Sequence, residues 1–154
     1  MPTADFSPDA FLESLRAVLP PGALLAGGDI PERHHQDWSG AGPVVPLAVV
    51  RPGSTEQIAA VLRLCNAHGV PVVPHGGLTG LAGAAQPIAG GIVLSLSRFN
   101  RIEAIDPAAS TVTVQAGVRR GGGKRIVVGK SARIRQVVGF HAVVTDDQLR
   151  IAAQ

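Results

Sequence analysis

The chain has no tyrosine, and its 154 residues hold one tryptophan, four phenylalanines, one methionine and one cysteine. With aromatics so scarce, a folded core must be assembled from Val, Leu, Ala and Ile. A single cysteine excludes an internal disulfide and any multi-cysteine metal cluster. No apolar run approaches the roughly 20 residues that a membrane-spanning helix needs. The first twenty residues carry Asp5, Asp9 and Glu13, which is not the pattern of a secretory leader. A cytoplasmic protein of one ordinary domain is the expectation.

Glycine, by contrast, is abundant, with 19 residues. Four of these fall in one short stretch, Pro74-His75-Gly76-Gly77-Leu78-Thr79-Gly80-Leu81-Ala82-Gly83, directly after the apolar run Val70-Pro71-Val72-Val73. Backbone without Cβ atoms lets a ligand come close, and successive amides turned one way make a concavity for phosphates. The plain alternative is a ligand-free turn. The spacing is not G-x-G-x-x-G, which argues against a nicotinamide-type dinucleotide site.

The flanking residues favour a ligand loop. Leu47 to Arg51 is a compact apolar run closed by Pro52-Gly53, as a buried strand would be. Ser54 stands three residues before Gln57, a capping-box start to a helix. Ile58, Val61, Leu62 and Cys65 then follow on one helical face, and Gly69 is the expected stop. Val70–Val73 is the second strand. A strand–helix–strand unit of this kind presents ligands beyond the carboxyl ends of its strands, where the glycine loop falls. Upstream, Ser7 and Pro8 begin a helix whose inner face is Phe11, Leu12, Leu15, Val18 and Leu19. Downstream, Ile92–Ser97 reads as a strand. Arg101–Ile105 and Thr111–Gln115 read as a hairpin around the turn 106–109. The predicted fold is α+β with a small parallel βαβ core.

Three long motifs carry a family resemblance: Arg51 to Gln57, Pro71 to Leu81 and Ile92 to Ile102, followed by Ile105-Asp106-Pro107 and Thr111 to Val118. Together they resemble the start of the FAD-binding domain of the vanillyl-alcohol-oxidase (PCMH-type) class. Within it they are most similar to the branch that holds the flavin chain of glycolate oxidase and the D-lactate and D-2-hydroxyglutarate dehydrogenases. The resemblance spans about residues 30 to 118, with Asp37-Trp38 a weaker upstream echo. It implies that backbone amides of the glycine loop, helped by the threonine hydroxyl, hold the FAD diphosphate. Carried onto this chain, the cradle is His75, Gly76, Gly77, Leu78, Thr79, Gly80 and Gly83, with Gly117 in a second segment near the cofactor. Leu78 stands where relatives commonly have Asn, and Ala84 where glycine is frequent. The implied chemistry is the flavin's, hydride removal from the α-carbon of a D-2-hydroxy acid.

Further flavin-contacting segments and the substrate domain of such relatives have no counterpart in this sequence, so no catalytic residue is assigned. The expected organisation is an N-terminal helix and lead-in (1–45), the first part of the FAD-binding domain (46–118) and an unrelated basic tail (119–154). A truncated, incomplete FAD site that is inactive alone is the corresponding expectation, with substrate engaged only if the missing domain is supplied. Charge marks the same boundary. Residues 1–118 hold six Arg against nine carboxylates, a net −3, and 119–154 hold eight Lys or Arg against two Asp, a net +6. Such asymmetry fits either a basic interaction tail or a misjoined reading frame.

The competing function is a non-enzymatic βαβ module whose tail binds nucleic acid. Arg119 to Arg125 is basic and glycine-rich, but Phe140 is the tail's one aromatic, so a solvated charge run is the favoured reading. Gly129-Lys130-Ser131 lacks the preceding glycine a nucleotide P-loop requires. The His34-His35 pair lacks a supporting ligand cluster for a metal. Cys65 reads as a small core hydrophobe, Trp38 as a packing anchor, and covalent flavin attachment at His75 as the remote alternative to a free cofactor.

Overall fold

The computed structural model describes residues 6–106, 111–118, 126–128, 133–136, 141–145 and 149–151, the segments after 118 as backbone. The chain divides into two compact units, Met1–Arg98 and Phe99–Gln154.

The first unit opens with helix α1 (Pro8–Val18). Ser7 caps it, its hydroxyl accepting from the Ala10 N–H. Of the predicted inner face, Phe11, Leu15 and Leu19 are buried, while Leu12 and Val18 are half-buried. Strand β1 (Leu24–Ala26) and two short 3-10 turns (Gly27–Asp29 and Glu32–His34) lead to β2 (Ala48–Val50). Helix α2 (Thr55–His68) follows. Ser54 accepts from the Gln57 N–H at 3.3 Å, as the capping pattern predicts. The reciprocal bond differs: the Gln57 side chain reaches past Ser54 and accepts from the Gly53 N–H at 2.7 Å. Gly69 ends the helix in the left-handed conformation (φ 66°), and the Val70 N–H returns to the Cys65 carbonyl at 2.9 Å.

Strands β3 (Val72–His75) and β4 (Ile92–Ser95) complete the sheet, in the order β1-β2-β4-β3. β2, β4 and β3 are parallel, and β1 is the antiparallel edge. The expected βαβ unit is therefore present with one refinement: β4 is inserted between the two strands that α2 connects. Every residue of β2 and β4 is buried, the condition of a parallel sheet covered on both faces. On one face Val49 and Val93 pack with Ile30, and Leu25 closes over them. Between the helices, the ring of Phe11 meets His68 edge-on at 5.4 Å. Cys65 lies buried on α2, and burial pushes its thiol up to about 11, so it behaves as the core hydrophobe expected.

The second unit holds the predicted hairpin, β5 (Ile102–Asp106) against β6 (Thr111–Gln115), antiparallel with a bulge between Ile102 and Ala104. Val114 is buried between half-buried Thr113 and Gln115, the alternation expected of a strand with one wet face. The hairpin turn, Arg119 to Arg125, Gly129-Lys130-Ser131 and Phe140 lie outside the described residues. Within 119–154 the backbone forms β7 (Ile126–Val128), β8 (Arg133–Gln136), β9 (His141–Thr145) and β10 (Leu149–Ile151). β9 adds to β6 and β8 to β9, giving a sheet β5-β6-β9-β8, while β7 pairs with β10.

One residue at the root of β4 is fixed by space alone. A Cβ on Gly91 would stand 2.9 Å from the Pro71 carbonyl oxygen and 3.1 Å from that of Ile88. Both oxygens are held, accepting from the Ile92 N–H at 2.8 Å and the Gly91 N–H at 2.9 Å, so neither can retreat. Gly91→Ala is expected to destabilise the fold by about 1–3 kcal/mol, as overpacking does. Gly28→Ala, with nothing within 4 Å of the new atom, is the control and should change stability by less than about 0.5 kcal/mol. Urea denaturation of the two variants checks this.

Candidate cofactor site

β3 ends at His75 and delivers the chain into the glycine loop at the carboxyl end of a parallel strand, as predicted. Gly77, Thr79 and Gly80 are exposed, while Gly76, Leu78 and Gly83 are half-buried. Among the described residues, no acceptor meets the N–H groups of Gly77, Leu78, Thr79 or Gly80. A row of backbone donors at the surface, free of internal partners, is what an anion site requires. Around Gly80 there is open space within 4 Å of where a Cβ would stand, and the nearest atom at Gly77 is the Thr79 hydroxyl, at 3.9 Å. The loop therefore fits a diphosphate: bare amides, room above them and a hydroxyl beside them.

Gly80 is not in the left-handed region; within the loop that conformation falls to Gly83 (φ 74°) and Leu78 (φ 64°). Leu78 is the one described non-glycine residue with positive φ. Leu78 thus stands at a position where Asn would be favoured for a backbone reason, since Asn tolerates the left-handed state better than a branched apolar side chain.

The loop's return limb is tied to the lead-in by a polar network that motif reading did not anticipate. The buried carboxylate of Asp37 accepts from the Ser39 N–H at 2.9 Å, from the Ser39 hydroxyl, and from the Ala85 N–H at 3.2 Å. The bonds from Ser39, then that from Ala85, hold the Asp37 carboxyl below the usual carboxylate range. Gln86 donates to the Gly42 carbonyl at 2.7 Å and accepts from the Asp37 N–H at 3.4 Å. His75 is 1% exposed; its Nε2 lies 2.8 Å from the Ala85 carbonyl oxygen and its Nδ1 3.0 Å from Nδ1 of His34. With both nitrogens engaged, the ring faces the protein interior, which leaves covalent flavin attachment there without a free nucleophile. Gly117 belongs to the second unit, where its N–H donates to the Phe99 carbonyl at 2.8 Å.

His34 and His35 do not form a metal pair: His34 turns in to His75, and no group of three metal-capable side chains occurs among the described residues. Trp38 is not a packing anchor. The residue is 68% exposed, and Leu81 in the loop is 75% exposed. The Asp37-Trp38 echo was a signal for this network, but through Asp37 rather than the indole. No helix among the described residues is long and apolar enough to cross a membrane.

A parallel-stranded βαβ unit delivering an uncovered row of glycine-loop amides defines a nucleotide-type cofactor domain. Residues 46–134 match the family described as FAD binding domain, and the chain belongs to it. That match runs past Val118 into the basic segment. Among curated relatives, D-2-hydroxyglutarate dehydrogenase of Xanthomonas citri pv. viticola is 45% identical over 87 residues, covering 56% of this chain and 18% of that protein. D-lactate dehydrogenase of Anaerostipes hadrus is 39% identical over 108 residues, 70% of this chain and 22% of the relative. Among solved structures, substrate-bound p-cresol methylhydroxylase superposes with a TM-score of 0.62 at 26% identity, over 71% of this chain and 22% of the other. An alkyldihydroxyacetonephosphate synthase shares the fold, with a TM-score of 0.61 at 22% identity. The chain thus spans about a fifth of the relatives it matches.

Leu78 carries a checkable consequence. Holding a leucine in the left-handed region costs about 1–2 kcal/mol, and Asn relieves part of it. Leu78→Asn is expected to stabilise the first unit by about 1 kcal/mol. A rise in the urea midpoint with an unchanged slope is the result that supports it.

Proposed function

We propose that this chain is the FAD-diphosphate-binding part of a flavin-dependent D-2-hydroxy-acid dehydrogenase. The observation that carries the proposal is the uncovered donor row of Gly77–Gly80 at the end of β3, in a chain whose relatives include D-2-hydroxyglutarate and D-lactate dehydrogenases. In this reading the loop amides receive the diphosphate oxygens and the Thr79 hydroxyl adds a further donor. Gly76 and Gly83 let the chain enter and leave the cradle, and Gly117 lies near the cofactor in its own segment. When bound, FAD would supply the hydride-accepting chemistry for the α-carbon of the substrate. The residues of this chain bind and orient; none of them is assigned as acid, base or substrate clamp. The substrate is engaged only when the domain that supplies those groups is present. A cytoplasmic setting belongs to the same proposal.

Affinity for FAD is expected to be weak, because diphosphate contacts alone bury little of so large a ligand. Gly80→Val tests the cradle directly. A Cβ there would meet nothing within 4 Å, so the fold should tolerate the substitution, while the added bulk takes the space a diphosphate needs. The expected outcome is at least about a tenfold loss of FAD affinity, some 1.4 kcal/mol, with circular dichroism unchanged. Equal loss of structure and binding would make Gly80 structural instead. Dye reduction with D-lactate, glycolate and D-2-hydroxyglutarate should show no turnover above free FAD. Turnover would require catalytic groups in the chain as it stands.

A further inference from the structure

His75 occupies the last position of β3, and His34 the end of the 3-10 turn Glu32–His34. Both are buried, at 1% and 4% exposure. Their Nδ1 atoms are 3.0 Å apart, their ring centroids 5.2 Å and their planes 22° from parallel. A centroid separation of that size with so short a nitrogen gap lays two ring radii and one hydrogen bond end to end. The rings therefore meet edge to edge through an N–H···N bond rather than face to face.

The protons in this pair follow from its partners. The Ala85 carbonyl can only accept, so His75 Nε2, 2.8 Å away, carries the hydrogen. In a neutral ring Nδ1 is then a lone pair, and His34 Nδ1 must donate to it. Ala85 is thus gripped twice, its carbonyl by His75 and its N–H by Asp37, while His75 is itself held by His34. The lead-in, the end of β3 and the return limb of the glycine loop form one hydrogen-bonded circuit.

We propose that His75 is a positioning residue for the loop: the neutral His34–His75 pair is a latch that sets the return limb Gly83–Gln86, and protonation of the pair weakens it. The consequence for FAD rests on the cofactor reading given above. A first added proton places an imidazolium in a buried site; a second sets two N–H donors nose to nose. Burial, foremost, pushes His75 below the ordinary histidine value; the Ala85 carbonyl and Asp37 oppose this, and Arg33 adds to it. His35, at the end of the same turn, is the other titratable neighbour, its Nε2 enclosed without a hydrogen-bond partner among the described residues. Neither the loop from 76 to 86 nor β4 carries a charged side chain. Since the folded state favours the neutral ring, the latch is at full strength above the unfolded histidine value of about 6.5 and weakens as pH falls below it. The limit is about tenfold in its equilibrium constant per pH unit for one proton.

The test uses the full chain labelled with 15N. Two results are expected: the Nε2–H tautomer of His75 at about pH 7.5, and an Ala85 N–H protection factor that falls several-fold per pH unit below about 6.5. His75→Gln offers Ala85 a donor that does not titrate, so its protection should be retained and its pH slope lost. The Nδ1–H tautomer, protection independent of pH, or a Gln variant that keeps the slope would overturn the latch. If that variant does not fold, the wild-type tautomer and slope decide. FAD titration of the wild type by flavin fluorescence should weaken over the same pH range. Affinity that ignores pH while Ala85 loses protection overturns the positioning role. No FAD binding at any pH overturns the cofactor reading instead, and leaves the latch to stand or fall on the Ala85 slope.

Discussion

The parallel pairing of β4 with β3 is the constraint on which the rest of this domain depends. Their register runs from Val72 opposite Ile92 to His75 opposite Ser95, and the Leu96 N–H extends it by bonding the His75 carbonyl at 2.9 Å. That last bond fixes where the extended chain stops and the glycine loop begins. At the other end, the Pro71 carbonyl accepts from Ile92 against the bare face of Gly91, so the strands enter their pairing in close approach. A one-residue slip of β3 would put the buried Val73 where the exposed Pro74 now stands. The position of the loop is therefore a property of the sheet before it is a property of the loop.

Much of this was legible from spacing. Ser54, the Ile58–Val61–Cys65 face and Gly69 define α2 because capping and helical period are local and need no tertiary context. The paired runs on either side, and the loop following the second, place the ligand end of the sheet. Strand order was not legible, because a crossover helix requires parallel strands but not adjacent ones. The insertion of β4 between β2 and β3 depends on the chain after the loop, where Ile92–Ser95 is apolar enough to be buried on both faces.

The site was legible only as backbone. Four glycines announce exposed amides, yet the residues that hold those amides in place are spread over 52 positions, from His34 to Ala85, and no local period links them. His34 reads in sequence as half of an unsupported histidine pair and in the fold is the hydrogen-bond partner of His75. Trp38, a large apolar side chain, is expected inside and lies outside, because its neighbour Asp37 takes the inward position to reach Ser39 and Ala85. Of the loop's left-handed positions one falls to a glycine, Gly83, and the other to Leu78, which composition does not single out. Sequence shows which residues permit a conformation; the tertiary contacts decide which of them adopts it.

These tethers answer a thermodynamic difficulty inherent in a glycine cradle. Amides that are to receive a ligand cannot be satisfied internally, and glycine is the residue with most backbone freedom to lose. Ordering each loop residue only at the moment of binding would cost about 1–2 kcal/mol, more in sum than a few hydrogen bonds to phosphate return. Fixing both limbs beforehand, one by β-pairing and one by the circuit through Asp37 and His75, moves that cost into folding, where the buried core offsets it. The polar groups that do so are buried, and buried polar groups hold only while every member has its partner. A cradle left deliberately unsatisfied at the surface thus depends on a fully satisfied network directly beneath it.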